Sequence, residues 1–358
     1  MTTFLRLCWP LVLLFGVVSC HTDAVYEEVV PDPVQCDLTQ VPYAKLSDYH
    51  FFNGEIKALE PSVRVIPYRP NSELFSDYAL KKRFVWLPKD SKGQYVNDFS
   101  PIDLPVGAAL IKHFYYENVG PNLQTLHIET RVMIRKVDGW IFTEYVWNDD
   151  QTEAFLTTQK TSRNVQFYRQ GISYNFTYST PNPTTECFRC HGNYVDRSNH
   201  PLGIKPQNLN GTYTYQSGAF NQLDYWKNNG LLNDNLPSAV ASTVNYLDAN
   251  QPFNLRIRSY FDSQCAHCHN DVGDARQMNL RFEFARTDDP TQMGVGQQAI
   301  HTLIGYGTRL IKPNNPGQSI LYYRITTTTD AAYRMPVVGR TLRHEEGIQL
   351  VADWINSL

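Results

Sequence analysis

Basic excess, long apolar runs and internal repeats are all missing from this chain, and each absence closes a class of function. Lys and Arg number 32 against 35 Asp and Glu in 358 residues, a net charge of −3. A nucleic-acid binder would show a basic excess or patch, so no nucleic-acid partner is expected. No run approaches the ~20 apolar residues of a membrane span, because Arg6 and Pro10 break the only candidate. Repeats of solenoid type are absent. Methionine is scarce, with five in the chain and none between His191 and His269, which limits where a thioether ligand could come from. Aromatics, by contrast, reach 13% with 22 Tyr, a bias that suits β-structure.

The N-terminus carries a targeting pattern. Arg6 supplies a positive region and Leu11 to Val18 a short apolar stretch. Val17-Val18-Ser19-Cys20 looks like the lipobox of bacterial lipoproteins, so residues 1–19 are expected to be a lipoprotein signal peptide, with cleavage before Cys20 and lipidation of its thiol. A plain secretory signal is the rival reading. Between Cys20 and Pro42, acids and prolines (Glu27, Glu28, Pro31, Asp32, Pro33) read as a tether, 20–42, on a membrane anchor. The expected location is the bacterial cell envelope, facing the periplasm or the cell surface.

Residues 43–180 read as a β-rich domain. Leu126, Ile128, Val132 and Ile134 alternate with His127, Glu129, Arg131 and Arg135, a period of two with one apolar and one polar face. Asp138-Gly139 supplies a turn, and Trp140 to Trp147 a second strand, which together predict a hairpin. Leu110 to Tyr116 and Arg83 to Leu87 are further strands. Frequent Asp and Gly breakers point to a sandwich or jelly-roll-like arrangement. Past Pro181-Asn182-Pro183 the pattern changes to short amphipathic stretches between Gly, Pro and Asn loops. Asn221 to Trp226 predicts a short helix stopped by Gly230. Arg256 to Gln264 and His344 to Leu358 have helical spacing, with Phe261 and Trp354 placed to meet where the two helices cross.

Two pentapeptides carry the chemistry: Cys187-Phe188-Arg189-Cys190-His191 and Cys265-Ala266-His267-Cys268-His269. Both read C-x-x-C-H, the attachment pattern of c-type haem. The spacing follows from the reaction, since two thiols add across the vinyl groups of one porphyrin and the adjoining His turns its imidazole to the iron. Cys187, Cys190, Cys265 and Cys268 are therefore expected to bind two covalent haem c groups, with His191 and His269 as proximal iron ligands. A thioredoxin-like C-x-x-C would sit in a βαβ pattern, which neither flank shows. A zinc site using both pairs would have to close a gap of 74 residues between Cys190 and Cys265, longer than zinc ribbons use. The cysteines then balance: Cys8 leaves with the signal, Cys20 takes lipid, four take haem, and Cys36 alone remains, expected as a buried spectator with pairing between chains as the alternative.

Met335, 66 residues after His269 and followed by Pro336, is the expected sixth ligand of the second haem, because a thioether suits iron and raises its potential. For the first haem the candidates are His200, Met133, His113 and His127, or an open position. Met133 and His127 share a strand face by parity. The segment 181–252 is accordingly read as the first haem-binding segment.

The order of these features resembles a family of uncharacterised bacterial dihaem c-type cytochromes, many of them lipoproteins. The matching residues include Pro105-Val106-Gly107, Leu110-Ile111-Lys112-His113-Phe114, Ile128-Glu129-Thr130-Arg131, Trp140, Tyr145-Val146-Trp147-Asn148, Pro201-Leu202-Gly203, Asn221-Gln222-Leu223 and both haem motifs with Asn270. Residues 253–358, with Lys312 to Tyr322 and Met335, resemble a class I cytochrome c domain. The fold expected is multidomain: an N-terminal all-β (sandwich or jelly-roll-like) domain followed by mainly α cytochrome c-like haem domains. The resemblance implies haem binding and electron transfer.

The expected function is electron transfer between redox partner proteins of the envelope, by a carrier more than a catalyst. The alternative is a dihaem peroxidase or oxidase with an open first haem, although the 78 residues from Cys187 to Cys265 are fewer than such peroxidases use. A third reading makes the β-rich part a binding module with a redox tail.

Overall fold

Gln124 to Lys136 forms a strand, and Asp138-Gly139 turns it back on itself, with Lys136 opposite Gly139. The computed structural model describes residues 31–358 apart from His301 and Ile304; the expected signal peptide and Cys20 lie outside the described residues. Phe52–Asn53 (β1) and Glu60–Pro61 (β2) make a small antiparallel pair. The main sheet takes Ile66–Pro67 (β3), Leu80–Trp86 (β4), Ala109–Val119 (β5), Gln124–Lys136 (β6), Gly139–Trp147 (β7), Ala154–Thr157 (β8), Ser162–Arg169 (β9) and Ile172–Ser179 (β10). Its eight antiparallel strands run β10-β9-β5-β6-β7-β8, with β4 also on β5 and β3 on β4.

Both sheet faces are covered, by different parts of the chain. Phe84, Ile111, Val132 and Tyr145 on one face pack with Tyr49, Phe51 and Leu59 from the N-terminal segment. On the other face Val85, Leu110 and Trp140 meet Ile204, Leu209 and Trp226. Side chains such as Trp226, fully buried and edge-on to Tyr68 at 5.6 Å, each stabilise the body by ~1.5–3 kcal/mol. The described end of the 20–42 stretch is packed down too: Val34, Cys36 and Leu38 lie on the first core, and Gln35 N–H donates to Tyr49 O at 2.9 Å.

Helices follow the sheet: Cys187–His191 (α1), Pro206–Leu209 (α2), Gln222–Asn228 (α3), Phe253–Gln264 (α4), Ile320–Thr326 (α5) and Glu345–Asn356 (α6), with a hairpin of Thr212–Tyr215 (β11) and Gly218–Asn221 (β12) between α2 and α3. Asn221 caps α3 by accepting from Leu223 N–H at 2.9 Å. Phe261 of α4 and Trp354 of α6 meet edge-on at 5.4 Å. Asp32–Leu358 clusters as one compact unit, which includes the stretches 43–180, 181–252 and 253–358. Among the described residues no helix is long and apolar enough to cross a membrane.

The expected fold class is overturned. Strand accounts for 26% and helix for 17% of the described residues, so the molecule is mostly β, built on one large antiparallel sheet, and does not contain mainly α cytochrome c-like domains. Among the described residues only α4 and α6 reach 12 residues, because Gly, Pro and Asn interrupt the helical spacing elsewhere. Nor does the β part form a sandwich: it is one large sheet, whose two faces are covered by the N-terminal segment and by loops and short helices where a second sheet would lie.

Candidate cofactor site

The first motif is α1, a single turn that leaves the sheet after β10; the second begins where α4 ends, its turn closed by His269 N–H donating to Cys265 O at 3.0 Å. These two turns, far apart in sequence, touch. The Arg189 guanidinium bonds the Asp274 carboxylate at 2.9 and 3.1 Å, and Tyr194 N–H donates to Val272 O at 2.7 Å. The Cys268 thiol donates to Arg189 O at 3.5 Å. A Cβ on Gly273 would meet Cys268 O at 2.4 Å, so the chain can pass here only as glycine. Donor atoms of Cys190, His267 and Cys268 all lie within 4.8 Å of one another. The long gap that argued against a shared metal site is thus closed by the fold.

All four motif thiols, and Cys36, are free. Burial pushes the Cys187 thiol up to about 11 and the Cys265 thiol up to about 12. Between Cys190 and Cys268, the Cys268 thiol and His267 stabilise the Cys190 thiolate, so Cys190 is the first of the pair to lose its proton. Cys36 packs on the N-terminal core, its thiol raised to about 11 by burial, which suits a spectator.

His191 has one nitrogen committed. Its Nδ1 lies 3.0 Å from the His200 carbonyl oxygen; a carbonyl only accepts, so Nδ1 carries the hydrogen and Nε2 the lone pair. The same two residues close a second bond, His200 N–H to His191 O at 2.9 Å. Phe142 packs 4.7 Å from the ring, and burial lowers the imidazole to about 4. Metal-bound histidines are oriented by this kind of second bond to a backbone carbonyl. His269 is packed edge-on to Phe282 at 5.2 Å and is lowered to about 4 by burial. Its Nδ1 is buried without a hydrogen-bond partner.

A cavity of about 570 Å³ opens in front of the first motif, within the roughly 300–1,000 Å³ of small-molecule and cofactor sites. Cys187, Cys190 and His191 line it together with Met133 and Phe142 of the sheet, Leu202, Val338 and, from the second motif, Ala266 and His267. Pro336 lines it as well, whereas Met335 is half-buried outside the lining and anchored by its N–H to Arg324 O at 2.8 Å.

The four candidate sixth ligands separate. His113 spends Nδ1 on Thr130 at 2.8 Å and Nε2 on His127 Nδ1 at 2.8 Å. His127 also stacks on Trp147 at 4.8 Å, so both histidines belong to the opposite sheet face. The parity argument failed for His127 because β5 and β6 slip by one residue between the pairs Phe114–Glu129 and Tyr115–His127. A bulge at Ile128 reverses every side chain beyond it. His200 lines the cavity with His191. Met133 lines it from the sheet.

The sequence reading passed over a row of charges. Arg83, Lys112, Arg131 and Glu144 are consecutive cross-strand neighbours on β4, β5, β6 and β7, and all four line the cavity. Glu129 accepts two bonds from Arg131, at 2.9 and 2.6 Å, and one from the Tyr178 hydroxyl at 2.6 Å. The alternation of Arg131 with Val132 is the available signal for a polar face, and in the structure that face lines the cavity. No family model, curated protein or solved structure matches this chain.

Proposed function

We propose that this chain is a dihaem c-type cytochrome, anchored to a bacterial envelope membrane by lipid on Cys20, that passes single electrons between redox partner proteins. The observation that carries the reading is the His191 imidazole, fixed by the His200 carbonyl with Nε2 left free beside two unpaired thiols on the wall of a cofactor-sized cavity. Those residues fit the group: Cys187 and Cys190 would tether it, His191 would ligate iron, and Leu202, Phe142 and Met133 would exclude water. Cys265, Cys268 and His269 would hold the second group, and Met335 is the proposed thioether ligand there. Haem c so held supplies one-electron Fe(III)/Fe(II) chemistry. The contact between the motifs keeps two attachment points, Cys190 and Cys268, side by side, which is what a relay between one-electron centres needs.

A second reading has an observation of its own. Cys190, His267 and Cys268 could hold one metal ion between the motifs. A structural zinc site takes four ligands, and among the described residues this group offers three. Intact-mass spectrometry of protein matured with c-type attachment machinery separates the two. Wild-type chain should carry two haem masses. The paired changes Cys187→Ala with Cys190→Ala, and Cys265→Ala with Cys268→Ala, should each remove one and spare the other. Loss of both from either variant, or of none, would sink the proposal.

A further inference from the structure

Sheets place like charges opposite one another at a cost, and burying an unpaired charge costs more. The cavity floor does both. Arg83 is paired to Glu73 at 2.9 Å and Arg131 to Glu129 at 2.6 Å. Lys112, between them on β5, has no ion-pair or hydrogen-bond partner among the described residues; its Nζ lies 4.8 Å from the Phe114 ring, close to the like charges of Arg83, Arg131 and Lys81. Glu144, on the far side of Arg131, is 2% exposed; the Thr180 hydroxyl lies beside its carboxyl, but no donor makes a hydrogen bond of good geometry to either oxygen. Leftover amine and leftover acid do not reach each other, since Arg131 stands between them in the row. Burial and the nearby Glu129 push the Glu144 carboxyl up to about 8, so at neutral pH it keeps a proton and can donate it to a hydrogen bond.

We infer that Lys112, Arg131 and Glu144 form a three-donor site for an anion inside this cavity. Each group points to the same class of ligand: a buried lysine amine without a counter-charge, held well below its ordinary range by burial and by Arg83 and Arg131, which an anion would return to ammonium; a guanidinium with only part of its fork used on Glu129; and an unpartnered carboxyl. Orphaned buried polar groups of this kind call for a missing partner, and a purely structural floor would be more stable with apolar residues. The anion is an oxygen or nitrogen acceptor of small size. It can come from two sources, a carboxylate side chain of the porphyrin held by Cys187 and Cys190, or a free inorganic anion. The inference rests on the reading that this motif holds haem.

Lys112→Gln tests it on the haem-loaded chain, because removing Lys112 leaves no partner unpaired; Lys112→Arg restores the charge, and Glu144→Ala removes an independent donor. Each variant is first shown to carry two haems, which separates failure of this inference from failure of the haem reading. Sodium azide is titrated by calorimetry into the reduced protein, whose ferrous haem does not take azide as an iron ligand, and both haem midpoints are measured. If the anion is free, azide binds saturably, Lys112→Gln and Glu144→Ala each weaken it at least about tenfold, and Lys112→Arg rescues it. If the anion is the porphyrin's own carboxylate, azide does not bind, while Lys112→Gln lowers one midpoint and Lys112→Arg restores it. Unchanged azide behaviour together with unchanged midpoints in both Lys112→Gln and Glu144→Ala overturns the site.

Discussion

The His191 ring is held by the backbone of His200, Nδ1 to carbonyl oxygen at 3.0 Å, not by that residue's own imidazole. A backbone bond survives side-chain replacement. His200→Ala should therefore leave the first haem's optical spectrum and spin state unchanged, whereas His191→Ala should perturb one haem of the two. A change to high spin in His200→Ala would instead make its imidazole a ligand.

Met335→Ala should abolish the long-wavelength thioether-to-iron absorption band and lower one of the two midpoints, since thioether ligation raises the potential. Near-infrared absorption and a redox titration read both. A spectrum and potentials identical to wild type would remove Met335 from the coordination sphere and leave Arg324 O as its only assigned contact.

Phe261 lies at the meeting of α4, α6 and the second motif, stacked on Phe282 at 4.8 Å and edge-on to Trp354. It is 1% exposed, so Phe261→Ala should cost ~3–5 kcal/mol, read from denaturant unfolding. Phe282 N–H also donates to His269 O at 3.2 Å, so the same change should reduce haem occupancy at the second motif more than at the first. A loss below ~1 kcal/mol would show that the α4–α6 crossing is loosely packed.

Much of this was legible from residues alone, for identifiable reasons. The strands around Val132 and Trp147 announce themselves by alternation, and Phe261 and Trp354 by helical spacing. Three things were hidden. One was the bulge at Ile128, which leaves no compositional trace yet moves His127 to the other face. Another was the destination of the polar face: Lys112 and Arg131 alternate as solvated residues do, and only the tertiary fold encloses them. The third was the extent of helix after residue 180, where attachment motifs announce a cofactor but not the scaffold around it.

Arg189 and Asp274 tie the motifs together at 2.9 Å, with side chains 38% and 25% exposed. Exposed pairs of this kind contribute ~0.2–1 kcal/mol, so Arg189→Ala should shift the melting temperature only slightly. Its effect should fall on the relation between the two sites, seen as an altered difference between the haem midpoints. A large drop in stability with an unaltered difference would make the pair merely structural.

Acid should weaken the body through the buried pair His113 and His127. Burial holds His113 well below the usual histidine range and lowers His127 to about 4. The unfolded chain takes up these protons near 6.5, while the folded one resists them. The stability they contribute is therefore complete above about 6.5 and is lost as pH falls toward about 4, by on the order of 3 kcal/mol for His127. Thermal melts of wild type and His127→Gln between pH 7 and pH 4.5 should show the smaller loss in the variant; parallel losses would contradict the assignment.

The most direct measurement is the ratio of haem to polypeptide in wild-type protein, by pyridine haemochrome absorbance with elemental analysis on the same sample. Two haem irons per chain and no zinc is the outcome expected. One zinc per chain with no haem would move Cys190, His267 and Cys268 from cofactor attachment to a metal site, and electron transfer would lose its basis.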